Sequence, residues 1–424
     1  MTTSCSGPGE RGSVHVLLVP LPAQGHMNPM LQFGRRLAYH GLLPTLVTTR
    51  YVLSTCPSAG EPFPVAAISD GFDEGGMAGT DPVEYCRRLE SVGSETLAGV
   101  IDAEARAGRP AAVVVYDPHM PWARRVASAA GVPTAALLSQ VCVVDLIYGE
   151  VWAGRAPLPM VHGSALRRRD VVSVDLGAED LPPFVVEPEL YPQYLEVSIR
   201  QFDGLEHTGD VFINSFQDLE PLEAEYMETT WRAKTIGPAL PSFYIDDGRL
   251  PSNKTHGVSF FSSGAPLDEL GDGLCNSGKP FIWVLRSTEA HKLSEDIRDK
   301  CEEKGLVVTW CPQLEVLAHK ATGCFLTHCG WNSTTEAIVT RYQPTNAKYV
   351  ESAWGIGVRM QLDEKGLLRR EEVERCIREV MEGERKTEYK QNSAKWMEKA
   401  KEAMQQGGSS DKNIAEFAAK YLSA

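Results

Sequence analysis

His26 and Asp117 are the residues whose types and placement suggest acid–base chemistry. His26 lies on a Gly-containing turn, Gln24-Gly25-His26-Met27, that follows the apolar run Val14–Pro20, and Asp117 directly ends a second run, Ala112–Tyr116. If both runs are strands of one parallel sheet, the two residues share a rim outside the carboxyl ends, where ligands of open α/β sheets gather. A carboxylate beside an imidazole fixes its tautomer and stabilises the imidazolium formed when it takes a proton, which is what a general base near neutral pH needs. The same spacing also fits a plain turn histidine and a capping aspartate, and both readings stand on sequence alone.

A second cluster, Thr327-His328-Cys329-Gly330-Trp331-Asn332-Ser333-Thr334-Thr335-Glu336, runs from a strand end through a tight turn into a helix. Free N–H groups at such a helix start, together with the Ser333 hydroxyl, the Asn332 amide and His328, could hold a diphosphate around the Gly330 turn. Glu336, one turn inside, could accept from the vicinal hydroxyls of a ribose. Trp310 closes the run Leu306–Trp310 and offers either a flat face for a base or an ordinary core aromatic. Cys311, Cys324, His328 and Cys329 contain no Cys-x-x-Cys pair, and the adjacency of His328 and Cys329 gives poor tetrahedral spacing, so no metal is expected.

The elements that must position these groups follow from patterning. The first half alternates β-rich runs with helical patterns, the mark of parallel βαβ units, with strands expected at Val14–Pro20, Leu43–Thr49, Ala112–Tyr116, Pro133–Leu138 and Val211–Asn214. Several are almost wholly apolar, as strands covered on both faces are. Asn28 is expected to cap the first helix, with Pro29 at its first position and Met30, Phe33 and Leu37 on one face. The Pro-, Gly- and Ser-rich stretch 237–266 reads as a linker. Beyond it, Pro280–Leu285, Leu306–Trp310 and Cys324–His328 read as strands and Leu314–His319 as a helix, and the charged end reads as helices over Arg370–Met381, Lys386–Met404 and Asp411–Leu422. The division expected is residues 1–236 as an acceptor-binding Rossmann-like unit, 237–266 as linker, 267–410 as a second such unit and 411–424 as a helix packing back on the first.

Composition narrows the class. A chain of 424 residues, 43% hydrophobic and 23% charged, fits two large α/β units of an ordinary globular protein. A net charge of -14 disfavours a nucleic-acid partner, because phosphate neutralisation needs clustered cations. Clean apolar stretches such as Ala111–Val115 are far shorter than the roughly 18–20 residues needed to span a bilayer, so no membrane span is expected. The N-terminus is polar and leads into a strand rather than a signal peptide, and ten scattered cysteines suit a reducing compartment, the cytoplasm.

Trp310-Cys311-Pro312-Gln313, Leu317-Ala318-His319, the run 323–333 and Glu336 resemble the plant secondary-product glycosyltransferase box. Pro22-Ala23-Gln24-Gly25-His26-Met27-Asn28-Pro29, Val211–Phe216 and Pro344–Tyr349 extend the resemblance to plant family 1 UDP-glycosyltransferases over nearly the whole chain. The resemblance implies an α/β protein of the GT-B fold, two facing Rossmann-like doubly wound domains, the first binding the acceptor and the second the nucleotide sugar. It implies His26 as the base that deprotonates the acceptor and Asp117 as its charge-balancing partner. Trp310 would stack on uracil, Gln313 contact the uridine, His328, Asn332 and Ser333 hold the diphosphate and Glu336 the ribose, while Trp331 stands where users of UDP-glucose usually carry Trp. Gln343 aligns with the last Gln of the box, which reads the sugar hydroxyls. The implied reaction moves glucose from UDP-glucose, with inversion, to a hydroxyl or carboxyl of a small hydrophobic plant metabolite or xenobiotic. Its products are a β-glucoside and UDP, with no metal, no cofactor beyond the donor substrate, and a monomeric enzyme.

Two departures from the family pattern accompany the match. The box jumps from Thr340 to Arg341-Tyr342-Gln343, about ten residues short by that pattern, with Tyr342 where an Asp is usual, and between Pro266 and Leu267 the first strand of the second unit and its Gly/Ser loop are missing. They leave two rival readings: a small-molecule binding module whose donor half is impaired, and a shortened version of an intact enzyme.

Overall fold

Five consecutive buried residues, His15–Val19, form β1 at the centre of a parallel sheet in the computed structural model, which describes residues 14–56, 60–245, 250, 266–327, 329–337 and 344–423. The sheet continues with β2 (Leu43–Thr49), β3 (Val65–Ile68), β4 (Ala111–Tyr116), β5 (Thr134–Leu138), β6 (Asp210–Ile213) and β7 (Ala233–Thr235), in the order β3-β2-β1-β4-β5-β6-β7. The order reverses between β1 and β4, which pair in register from Val16↔Val113 to Val19↔Tyr116. Crossovers on either side of such a reversal run in opposite directions and leave a crevice at the carboxyl ends. The strands anticipated from apolar patterning are there within a residue or two, and two shorter ones, β3 and β7, complete the edges.

Helix α1 (Gln24–Tyr39) begins five residues before the expected start at Pro29. Neither Asn28 as cap nor Pro29 as first residue holds: the Ala23 carbonyl already accepts from the N–H groups of His26 and Met27, both at 2.9 Å, so the turn closes ahead of them. Pro29 therefore stands inside the helix. The apolar face of Met30, Phe33 and Leu37 is buried as its spacing requires. Helix α2 (Cys142–Trp152) follows β5, with the Glu220 carboxylate accepting from the Cys142 and Val143 N–H groups at 3.0 Å each and so capping it.

The second half is built differently. β8 (Ile282–Val284) and β9 (Leu306–Val308) pair in parallel and form a two-stranded sheet. Residues 324–327, expected as a third strand, are extended chain outside any ladder. A parallel strand exists by its bonds to neighbours, and among the described residues no strand lies beside this segment to supply them. Helix α3 (Gln313–Leu317) and helix α4 (Trp331–Ala337) flank that segment.

Near the end, α5 (Lys386–Met404) leads into α6 (Ser409–Leu422). Helix α6 lies on the first sheet's helical layer, where Phe417 packs 5.0 Å from Phe212 and 6.0 Å from Phe33 between ring centroids. Ser410 Oγ donates to the Gly237 carbonyl at 2.7 Å and Asn413 Nδ2 to that of Thr235 at 2.8 Å.

Candidate active site

The β1–β4 pairing brings His26 and Asp117 together. The Asp117 N–H donates to the Val19 carbonyl at 3.0 Å, tying the residue after β4 to the end of β1, and α1 then delivers His26 in its first turn. His26 Nδ1 lies 2.6 Å from Asp117 Oδ2. With Nδ1–H donating to the carboxylate, Nε2 is the ring's remaining acceptor. Ser139 Oγ, just past β5, lies 3.2 Å from the same Nδ1. The reading of His26 as an unconnected turn residue falls.

Electrostatics fit proton transfer. Burial on its own would lower the His26 pKa, but the Asp117 charge and hydrogen bond outweigh it and hold the imidazole above its ordinary 6.5. Burial likewise pushes Asp117 up, and the facing His26 charge with hydrogen bonds from His119 and His26 overcomes that and keeps the carboxyl far below the usual carboxylate range. Asp117 is therefore held in its ionised form beside the imidazole.

His119 went unnoticed in the sequence. Its backbone N–H and its Nδ1 both lie 3.0 Å from Asp117 Oδ1, and its ring stands edge-on to His26 with centroids 5.0 Å apart. One buried carboxylate thus orients two imidazoles. The signal was the Asp-Pro-His run at the end of β4, a turn that returns the third residue onto the first. His26, Asp117 and His119 also bring three ligand atoms within 4.8 Å of one another. A divalent ion there would have to displace the Nδ1 protons and take the carboxylate from His26.

The donor-side residues are placed in part. Trp310 is 53% exposed, which removes the core-aromatic reading. Gln313 is buried as the first residue of α3. The Gly330 carbonyl accepts from the Thr334 N–H at 2.9 Å, closing the first turn of α4, and Ser333 is buried in that turn. Trp331 is only 4% exposed and its indole N–H donates to the Asn214 carbonyl, after β6, at 2.5 Å. Asn332 Nδ2 donates to the Gly25 carbonyl at 2.7 Å. Both contacts run from this segment to the half of the chain that bears His26. His328, Gln343 and the Glu336 side chain lie outside the described residues.

Comparison with known proteins supplies the family. The model for UDP-glucoronosyl and UDP-glucosyl transferases matches residues 251–400, and that for the glycosyltransferase N-terminal domain matches 12–53. UDP-glucosyltransferase UGT13248 of Hordeum vulgare subsp. vulgare is 59% identical over 463 positions, covering 100% of this chain and 98% of the relative. The chain belongs to the plant family 1 UDP-glycosyltransferases. UDP-glycosyltransferase 79 of Oryza sativa subsp. japonica is 63% identical over 96% of each chain. The crystal structure of Os79 from O. sativa in complex with UDP superposes with a TM-score of 0.92 at 62% identity, covering 96% of this chain and 100% of that one.

This glycosyltransferase is accordingly a GT-B protein and an inverting UDP-glucosyltransferase of small metabolites and xenobiotics. The chain spans nearly the whole length of these relatives. The aligned 463 positions nonetheless exceed the 424 residues of this chain, so the barley relative carries internal residues that this one lacks. Among the described residues no helix is long and apolar enough to cross a membrane.

Proposed function

We propose that His26 Nε2 takes the proton from an acceptor hydroxyl as its oxygen attacks the anomeric carbon of UDP-glucose, with Asp117 balancing the imidazolium that results. The bond from that carbon to the diphosphate breaks, its electrons leave with UDP, and the sugar inverts to the β-configuration. The carrying observation is the 2.6 Å contact between His26 and a buried, ionised Asp117. Trp310 and Gln313 are assigned to the uridine, Glu336 to the ribose and Gln343 to the sugar. Gly330, Asn332, Ser333 and His328 take the developing diphosphate charge, and Trp331 acts as a packed support beneath them. His119 lines the acceptor side of the same carboxylate.

The acceptor we assign is a compact polycyclic alcohol of the trichothecene kind. Os79 has been crystallised with a trichothecene, and also with UDP and deoxynivalenol-3-glucoside, and each of those chains is 63% identical to this one. The enzyme acts as a cytoplasmic monomer. The test is release of UDP from UDP-glucose against trichothecene and phenolic acceptors, with His26→Ala alongside. Acceptor-dependent release that vanishes in the variant supports the assignment; acceptor binding without release by folded protein would support the binding-module reading instead.

A further inference from the structure

Pro29 has no N–H, so the bond that an α-helix normally returns to the carbonyl four residues earlier is missing at Gly25. That carbonyl is the one to which Asn332 Nδ2 donates, at 2.7 Å, from the start of α4. Gly25 directly precedes His26, and Asn332 directly precedes Ser333. The contact is not imposed by glycine: a methyl at position 25 would stand 3.7 Å from Nδ2, an ordinary approach. A hydrogen-bond vacancy made by one residue of the base-bearing helix is therefore filled by a side chain of the donor segment, 303 residues further along the chain from Pro29.

We propose that Asn332, beside its assignment to the diphosphate, has a positioning role: its Nδ2 replaces the N–H that Pro29 cannot supply and thereby couples the donor segment to the first turn of α1 and to the direction of the His26 ring. This rests on the assignment of His26 as base and adds that Pro29 is kept inside the helix to leave the Gly25 carbonyl for the donor side. An arrangement of this kind makes base alignment depend on where the donor segment sits, because Asn332 reaches the carbonyl only with α4 in its docked place.

The discriminating substitution is Pro29→Ala, at a buried position inside α1 to which no substrate role is assigned, and it gives Gly25 an intrahelical partner. Proline is the poorest residue for a helix interior, so this variant melts higher than wild type. The proposal expects the stabler protein to be slower, with kcat down about three- to tenfold, in the range of one modest hydrogen bond, and the KM for UDP-glucose unchanged. Asn332→Ala lowers kcat too, and in that background Pro29→Ala has no further effect on kcat, since the carbonyl they share has already lost its cross-segment partner. Effects that multiply independently, or a Pro29→Ala enzyme of undiminished kcat, overturn the coupling. If wild type shows no turnover, the base assignment fails on its own. The same four proteins then report the coupling through their melting temperatures, where a non-additive pair supports the contact and strict additivity removes it.

Discussion

The two halves carry the same architecture to different degrees of completion. In the first, β1 is flanked by β2 and β4 and all five of its residues are buried. In the second, β8 and β9 have each other, and Ile282 and Leu306, paired across them, stand 50% and 55% exposed. Apolar residues of a doubly covered parallel sheet belong under neighbours, and among the described residues this sheet has two strands only. Rim chemistry is only as well defined as the ladder behind it. His26 and Asp117 are set to 2.6 Å by the β1–β4 pairing. The donor segment takes its place from the first half, through Trp331 to Asn214, Asn332 to Gly25, Tyr349 to Glu223 and Trp354 to Leu219.

The largest break of this contrast is His26→Ala. It should lower turnover by about 10²–10⁴-fold, the usual worth of a general base, while UDP affinity measured by calorimetry stays the same; lost UDP affinity with turnover intact would contradict the placement of base and donor in separate halves. Completing the second sheet comes next. Inserting the rice relative's corresponding residues between Pro266 and Leu267 should add one ladder to the edge of β8–β9 and offer another to 324–327, raise the melting temperature by roughly 5–10 °C and slow hydrogen exchange there, while β1 and β4 stay as they are.

The acid limb of the rate profile sharpens the comparison within the first half. In the proposed mechanism neutral His26 is the base, and Asp117 raises its pKa above 6.5 against the opposing effect of burial. kcat/KM should therefore fall about tenfold per pH unit once pH drops below that raised value. Asp117→Asn removes the raising charge, so the limb should move to lower pH while the remaining rate falls; a limb that stays put would assign it to another group. Trp331→Phe deletes the indole N–H to Asn214 together with part of the buried ring, and chemical denaturation should show a loss of about 1–3 kcal/mol. The smallest effect concerns a cavity of about 300 Å³ between the halves, lined by Phe216, Leu240, Leu314, Trp331, Trp354 and Ala400. Ala400→Leu should fill part of it and gain about 0.5–2 kcal/mol, and a loss would mean the space is already closed in solution.

The legible parts of the site were those where local pattern and topology coincide. Nearly unbroken aliphatic runs ending at Pro20 and Tyr116 gave away two buried parallel strands, and the residues just beyond such ends are rim residues in any doubly wound sheet. The start of α1 was misplaced because proline's preference for a first turn is local, whereas the Ala23 carbonyl closes the turn earlier. Cys324–His328 has the composition of a strand, yet pairing is a property of neighbours, and the expected neighbour between Pro266 and Leu267 is missing from the sequence. Trp331 looked like a ligand residue from its motif; its burial against Asn214 depends on a contact 117 positions away in sequence.

What the sequence determined by itself is the family, the inner strands of the first sheet and the candidate pair His26 and Asp117, because side-chain type, aliphatic runs and motif spacing are all local properties. Tertiary structure alone decided that Asp117 orients two imidazoles, that Gly25 is satisfied from the other half, and that the donor segment leans on the acceptor sheet. Each of these joins atoms far apart along the chain, and such a contact exists only once packing has brought its ends within hydrogen-bond reach.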